Sequence, residues 1–431
     1  MSGKGPQKSR FTRSLSLTGA LSIGLGTMIG AGLFVLSGPA AEQTGPAVTL
    51  SYLIAGLICL PIAMIVSELA TAMPQAGGSY HLVMNTIGPI AGTIVGLANW
   101  LGLMFAGGFY LIGIAQYLSE YINIPLWIIV AATGGLFTIL NVFGAHYTGR
   151  AQQIIVFVLL LILAYYIIFG WQQADASLRE PFMPEGFTSV LGTVGLIIVS
   201  FTGFEKISTT AGEIKKPSRN LPIAIIGSVA IATIFYFLIM HVTTSVVPHH
   251  EFAAFKAPLV DTASRFLDSP AGIFIIWAGA LLAMASSSNA AITTATRINF
   301  AMSRDRVLPH YFDIIHQKFG TPYRSVIITG ITSIVLAEVG NIEELAKISS
   351  AMFMVSYALI AWGLIRMRRL QPDWYKPDFR VPWVPVLPAL AGLTALAVIG
   401  FMDFIPQIAG IAFAIFGIGW YYLWVRKHHK R

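Results

Sequence analysis

The chain has 431 residues, 55% hydrophobic and 11% charged, with a mean hydropathy of +0.72 and a formal net charge of +8. Soluble domains carry about 25% charged residues, so a water-soluble globular protein is excluded and the chain reads as integral to a membrane. The single cysteine, Cys59, lies in an apolar segment. It cannot form an intramolecular disulfide and reads as a quiet buried thiol.

About 20 apolar residues cross a bilayer. Twelve such segments are predicted, near residues 15–41, 47–73, 88–119, 125–145, 151–172, 188–211, 221–247, 271–302, 323–339, 344–368, 383–402 and 405–427. The basic start (Lys4, Lys8, Arg10, Arg13) imitates a signal peptide. The apolar run behind it is too long and lacks a small-residue cleavage site, so a retained first span after a tail at 1–14 is expected. With the N-terminus in the cytoplasm, 22 of the 27 Lys and Arg fall on the cytoplasmic side. Four (Arg179, Lys256, Arg265 and Lys347) fall on the other, and Lys206 lies within a span. The positive-inside rule then places both termini in the cytoplasm of a multi-pass protein of the cell (inner or plasma) membrane. Orientation explains the basic balance, and no nucleic-acid partner is needed. Trp127, Trp171, Trp383 and Trp420 stand at segment ends, as interfacial belts require. The loops are short; His249-His250 reads as a solvated pair, and no metal or cofactor is expected.

Two spans are interrupted. Span 1 carries Gly26, Gly30 and Gly32 within seven residues, each weakening a helix by about 1 kcal/mol relative to Ala. Span 6 breaks at Ser200-Phe201-Thr202-Gly203-Phe204 and continues with Glu205-Lys206. A charge at membrane depth costs at least ~2.5–3.5 kcal/mol, so Glu205 should face a cavity or a partner. Paired interruptions in spans of opposite direction point to a transporter built from inverted repeats. Free N–H groups at Gly30, Ala31 and Gly32 suit a carboxylate, and carbonyls near Val199 to Thr202 suit an ammonium. Together they describe an α-amino acid. The bland alternative is close packing, since Gly26-x-x-x-Gly30 is a small-xxx-small pattern.

These residues resemble the amino acid–polyamine–organocation (APC) superfamily. The resemblance rests on Gly26 to Phe34, on Pro74-x-x-Gly77-Gly78-x-Tyr80, on Phe201 to Glu205, on Gly212-Glu213-x-Lys215-Lys216-Pro217, and on Ala301 to Pro309. It implies an all-α, LeuT-type fold of 12 transmembrane helices with spans 1 and 6 discontinuous. Residues 15–172 would form the first five-helix repeat, 188–368 the inverted second, and 383–427 two additional helices. It further implies that Thr27, Met28, Gly30, Ala31, Gly32, Val199, Ser200, Phe201, Thr202 and Phe204 bind substrate, and that Glu205 serves gating or proton coupling. Some members carry a span-5 lysine in place of a sodium ion; here Val156 to Ile162 is wholly apolar, with Leu159 at the matching place. Ser286 and Ser287 of span 8 are further pocket candidates. A Ser run more often bonds its own backbone, so sodium-independent proton coupling or exchange is expected. Lys206 is expected to reach the cytoplasmic vestibule or Glu213, and Glu68 to act as a structural partner for a helix break.

The expected function is a permease for amino acids, favouring neutral ones, working by alternating access. A cationic amino acid or polyamine exchanger is the alternative. A channel or membrane sensor is the different-class alternative, but no repeated pore motif or soluble signalling domain is visible. An enzyme would need a cluster of catalytic groups at depth, and an ATP-driven pump a phosphate loop; neither pattern occurs.

Overall fold

A computed structural model of the chain describes residues 13–75, 77–144 and 149–428. Lys4, Lys8, Arg10, Lys430 and Arg431, and the side chain of Arg150, lie outside the described residues. The fold is all-helical; a single bridge, Leu15 with Ile214, is the one β-type pairing among the described residues.

The helices run in the order α1 (Leu17–Met28), α2 (Ala31–Phe34), α3 (Ser37–Thr44), α4 (Val48–Ala72), α5 (Gly78–Thr86), α6 (Pro89–Ser119), α7 (Leu126–Val142) and α8 (Gly149–Gln172). Next come α9 (Gly186–Ile197), α10 (Phe204–Thr209), α11 (Pro217–Val246), α12 (Pro258–Ala263) and α13 (Pro270–Arg304). The last four are α14 (Tyr323–Val339), α15 (Ile342–Leu370), α16 (Val386–Gly400) and α17 (Phe404–Trp420). Nine segments among the described residues are long and apolar enough to cross a membrane. The other three predicted segments form the 15–17-residue helices α7, α14 and α16. The chain is a multi-pass membrane protein.

Local chemistry sets several helix starts. Ser16 caps α1, its Oγ accepting the Gly19 N–H at 3.1 Å. Asn341 caps α15 by accepting the Glu344 N–H at 2.8 Å, with Glu343 and Glu344 in the first turn and Arg368 and Arg369 in the last, as the helix dipole favours. α4 packs on α11, α6 on α13 and α15, α7 on α14, and α1 on α11, α8 and α13. Phe157 on α8, Leu393 on α16 and Ile411 on α17 point outward, apolar surface that only lipid can cover favourably.

Glu68 of α4 is fully buried. Its carboxylate accepts the Tyr375 hydroxyl at 2.7 Å, the Val381 N–H at 2.6 Å and Arg368 Nη2 at 2.9 Å. Arg368 Nε also lies 2.7 Å from it, at ion-pair distance but outside hydrogen-bond geometry. Burial and this carboxylate push the Tyr375 phenol well above its usual range, which keeps it a donor. Glu68 is therefore held by the last turn of α15 and by the connection between α15 and α16, and not, as expected, by a helix break.

Candidate functional site

Both expected interruptions are present. α1 stops at Met28, Ile29 and Gly30 are non-helical, and α2 restarts at Ala31. α9 stops at Ile197, a tight 3-10 turn covers Ile198–Phe201, and α10 starts at Phe204 after Thr202 and Gly203. The N–H groups of Ala31 and Gly32 stand in the first turn of α2 and have no intrahelical acceptor.

The two breaks touch. A Cβ at Gly32 would lie 2.4 Å from Ser200 Oγ, and one at Gly30 would lie 1.8 Å from Ser287 Oγ. A Cβ at Gly203 would lie 2.7 Å from the Gly24 carbonyl oxygen. The packing role of these glycines is thus real, whatever else they do. Side chains from neighbouring spans serve the loosened backbone. The Tyr236 hydroxyl lies 2.5 Å from the Met28 carbonyl and 3.2 Å from that of Ser200. Tyr117 donates to the Phe34 carbonyl at 2.8 Å, and Ser350 accepts the Val199 N–H at 3.1 Å. The Val199 carbonyl accepts both Thr202 Oγ1 and the Thr202 N–H. It is occupied in this conformation, as is the Ser200 carbonyl. The Gly30 N–H is occupied too: contrary to the expectation of a free amide there, it donates to the Met28 carbonyl at 2.9 Å across the break.

A cavity of about 390 Å³ reaches the breaks from the face where α1 begins, and Thr27, Lys206, Ser286, Asn289 and Gln152 line it. A neighbouring lobe of about 300 Å³ shares Thr209, Glu213, Thr293 and Arg297 with it. Met28, Gly30, Ala31, Gly32, Val199, Ser200, Phe201 and Phe204 are buried above the cavity and do not line it. Phe201 packs edge-on against Tyr236 at 5.0 Å, and Phe204 stacks on Tyr357 at 5.7 Å. Ser287 is buried too, its hydroxyl 3.4 Å from the Thr27 carbonyl.

Glu205 faces a second, much smaller space of about 10 Å³ with Ser79, Asn99, Thr202 and Phe353. Asn99 donates to its Oε2 at 3.2 Å, and Ser356 donates to Asn99 Oδ1 at 2.8 Å, so spans 6, 3 and 10 form one polar chain. Ser79 stands beside the carboxylate, but Oε1 and the Ser79 hydroxyl close no hydrogen bond. Lys206 lines both this small space and the open cavity. It lines the same cavity as Glu213, which is engaged by Arg297 at 3.7 Å.

Residues 19–429 match the family model for amino acid permeases. The chain belongs to the amino acid permease family, within the APC superfamily. The permease is 30% identical over 430 residues to the branched-chain amino acid permease BcaP of Bacillus subtilis (strain 168), covering 95% of this chain and 92% of that one. It is 29% identical to the methylthioribose transporter of the same organism, over 99% and 96% of the two chains. It is 28% identical to the vacuolar cationic amino acid transporter 4 of Arabidopsis thaliana, over 84% of this chain and 64% of that one. The family is one of transporters, so the permease is not an enzyme.

Three site features of the permease escape sequence reasoning. Tyr236 is one aromatic among many in span 7, and only packing shows that it serves both breaks. Gln152 donates to Ser286 Oγ at 3.4 Å and packs against Gly26; its signal was the polar pair Gln152-Gln153 at the start of an apolar span. Leu15 pairs with the chain after α10, giving its N–H to the Glu213 carbonyl at 2.9 Å and accepting that of Lys215 at 2.8 Å. The start of span 1 is thereby tied to the end of span 6.

Proposed function

We propose that the permease is a secondary transporter that carries amino acids with neutral side chains by alternating access around the two breaks. The observation that carries this is the junction of Ala31 and Gly32 with the Ser200 turn: amides without an intrahelical acceptor meet Ser200 of the opposite break in one buried place. The amides of Ala31 and Gly32 take the carboxylate, joined by that of Gly30 once it leaves the Met28 carbonyl, and carbonyls between Val199 and Thr202 take the ammonium once the turn loosens. Thr27, Ser286 and Ser287 supply hydroxyls on the approach, while Met28, Phe201 and Phe204 close over the ligand. The cavity at Thr27 then belongs to a state open on the cytoplasmic side, with both termini in the cytoplasm of a plasma or inner membrane.

The architecture we propose is twelve spans in a LeuT-type five-plus-five inverted repeat with two further helices. Support comes from the pairings: span 1 meets span 6, 2 meets 7, 3 meets 8 and 4 meets 9, each five spans on. Coupling is by protons through Glu205, whose carboxylate is buried and half-satisfied, or by exchange, without sodium. A cationic substrate is the second reading, supported by the Arabidopsis cationic transporter relatives.

The test is uptake by proteoliposomes of the twenty amino acids and common polyamines, with and without a pH gradient. Accumulation of neutral amino acids supports the proposal. Selective uptake of arginine or polyamines would support the second reading, and no uptake of any would refute both.

A further inference from the structure

Lys206 is the feature of the site that the reading above leaves without a task. It is 5% exposed, and its Nζ has no hydrogen-bond partner among the described residues. Nature rarely buries a lysine at membrane depth without a function. The first turn of α10 holds it at the wall between two spaces: the small one beside Glu205, Asn99 and Phe353, and the open cavity of Thr27 and Ser286. Glu213, which lines the open cavity, is drawn to Arg297.

This placement bears on which side chains the pocket accepts. A cationic side chain brought to membrane depth needs a carboxylate that is not already matched by another cation. Glu205 is the carboxylate beside the breaks, and Lys206 lines the same small space. One acid and one base leave no surplus negative charge. A neutral amino acid adds no net charge, because the backbone at the breaks meets its own opposite head-group charges. Arginine, lysine or ornithine would bring an unmatched cation against the Lys206 amine, and a polar group placed to leave a ligand's charge unmatched is a common means of rejecting a wrong ligand.

We propose that Lys206 sets the charge class of the substrate: it excludes cationic side chains and makes the permease selective for neutral amino acids. The inference rests on the amino acid reading of the breaks.

The experiment is competition binding with radiolabelled leucine on the purified full chain, wild type, Lys206→Met and Lys206→Arg, with arginine and ornithine as competitors. The quantity read is the affinity ratio of arginine to leucine within each protein, which cancels a general loss of binding. Wild type should favour leucine by about 100-fold. Lys206→Met should narrow that ratio at least 10-fold, and Lys206→Arg should keep it wide. An unchanged ratio in Lys206→Met overturns the inference and leaves the amino acid reading intact. So does wild-type protein that binds arginine as well as leucine, a result that needs no variant to fold. Wild-type protein that binds neither overturns the amino acid reading and this inference with it.

Discussion

The hydroxyl of Tyr236 lies 2.5 Å from the carbonyl of Met28, the last residue of α1. The same oxygen is 3.2 Å from the Ser200 carbonyl in the opposite break. One side chain of α11 thus holds the ends of two interrupted helices in register. Its ring is fixed by edge contacts with Tyr52 at 5.4 Å and Phe201 at 5.0 Å.

Removing that hydroxyl with Tyr236→Phe takes one donor from each of two buried carbonyls, and among the described residues Met28 keeps only the Gly30 N–H. Such a loss costs about 1–3 kcal/mol. Thermal unfolding in detergent should shift down, and substrate binding should weaken more than the shift alone explains. Unchanged stability and affinity would mean that the two contacts carry no weight.

The glycines need a test that separates packing from binding. Gly30→Ala drives a methyl into Ser287 Oγ. The pair Gly30→Ala with Ser287→Gly removes that clash. Thermal stability should recover in the pair. Measured against Ser287→Gly alone, affinity recovers less than stability does if the Gly30 backbone meets the carboxylate, because the added methyl crowds the ligand; equal recovery of both would leave packing as its whole role.

Much of this was legible in the chain. Apolar length and the Lys and Arg distribution mark the spans, and glycine in a helix is costly enough that Gly30 and Gly32 betray a break. Glu205 announces itself because an embedded acid is expensive. What the chain does not show is who serves the exposed backbone. Tyr236, Ser350 and Tyr117 are ordinary residues of apolar helices, and their role arises from contacts between spans far apart in sequence. The Leu15–Ile214 bridge was hidden for the same reason. Glu68 was visible as an embedded acid, but its partners Tyr375 and Val381 lie in a polar connection without periodicity.

Glu68→Gln should be the most destabilising of the single changes proposed. It leaves Arg368 without its carboxylate and frees the connection between α15 and α16. Breaking one half of a buried pair costs about 3 kcal/mol or more. Thermal unfolding and limited proteolysis at residues 371–385 read this directly; wild-type resistance at both would contradict the structural assignment.

If Glu205 carries the coupling proton, Glu205→Gln should abolish uptake driven by a pH gradient. Substrate exchange across the same vesicles should persist, because glutamine still accepts from Asn99. The ratio of gradient-driven uptake to exchange is the readout. Retained pH-driven accumulation in the variant would remove Glu205 from the coupling path.

The central claim is that the two breaks together hold an amino acid head group. It is tested most directly by competing a bound neutral substrate, such as leucine, with its two half-molecules. Leucinamide lacks the carboxylate, and 4-methylpentanoate lacks the amine. The account predicts that each competes at least 100-fold more weakly than leucine, since each loses a charged hydrogen-bonded group at one break. Competition by either compound at the affinity of leucine would contradict it.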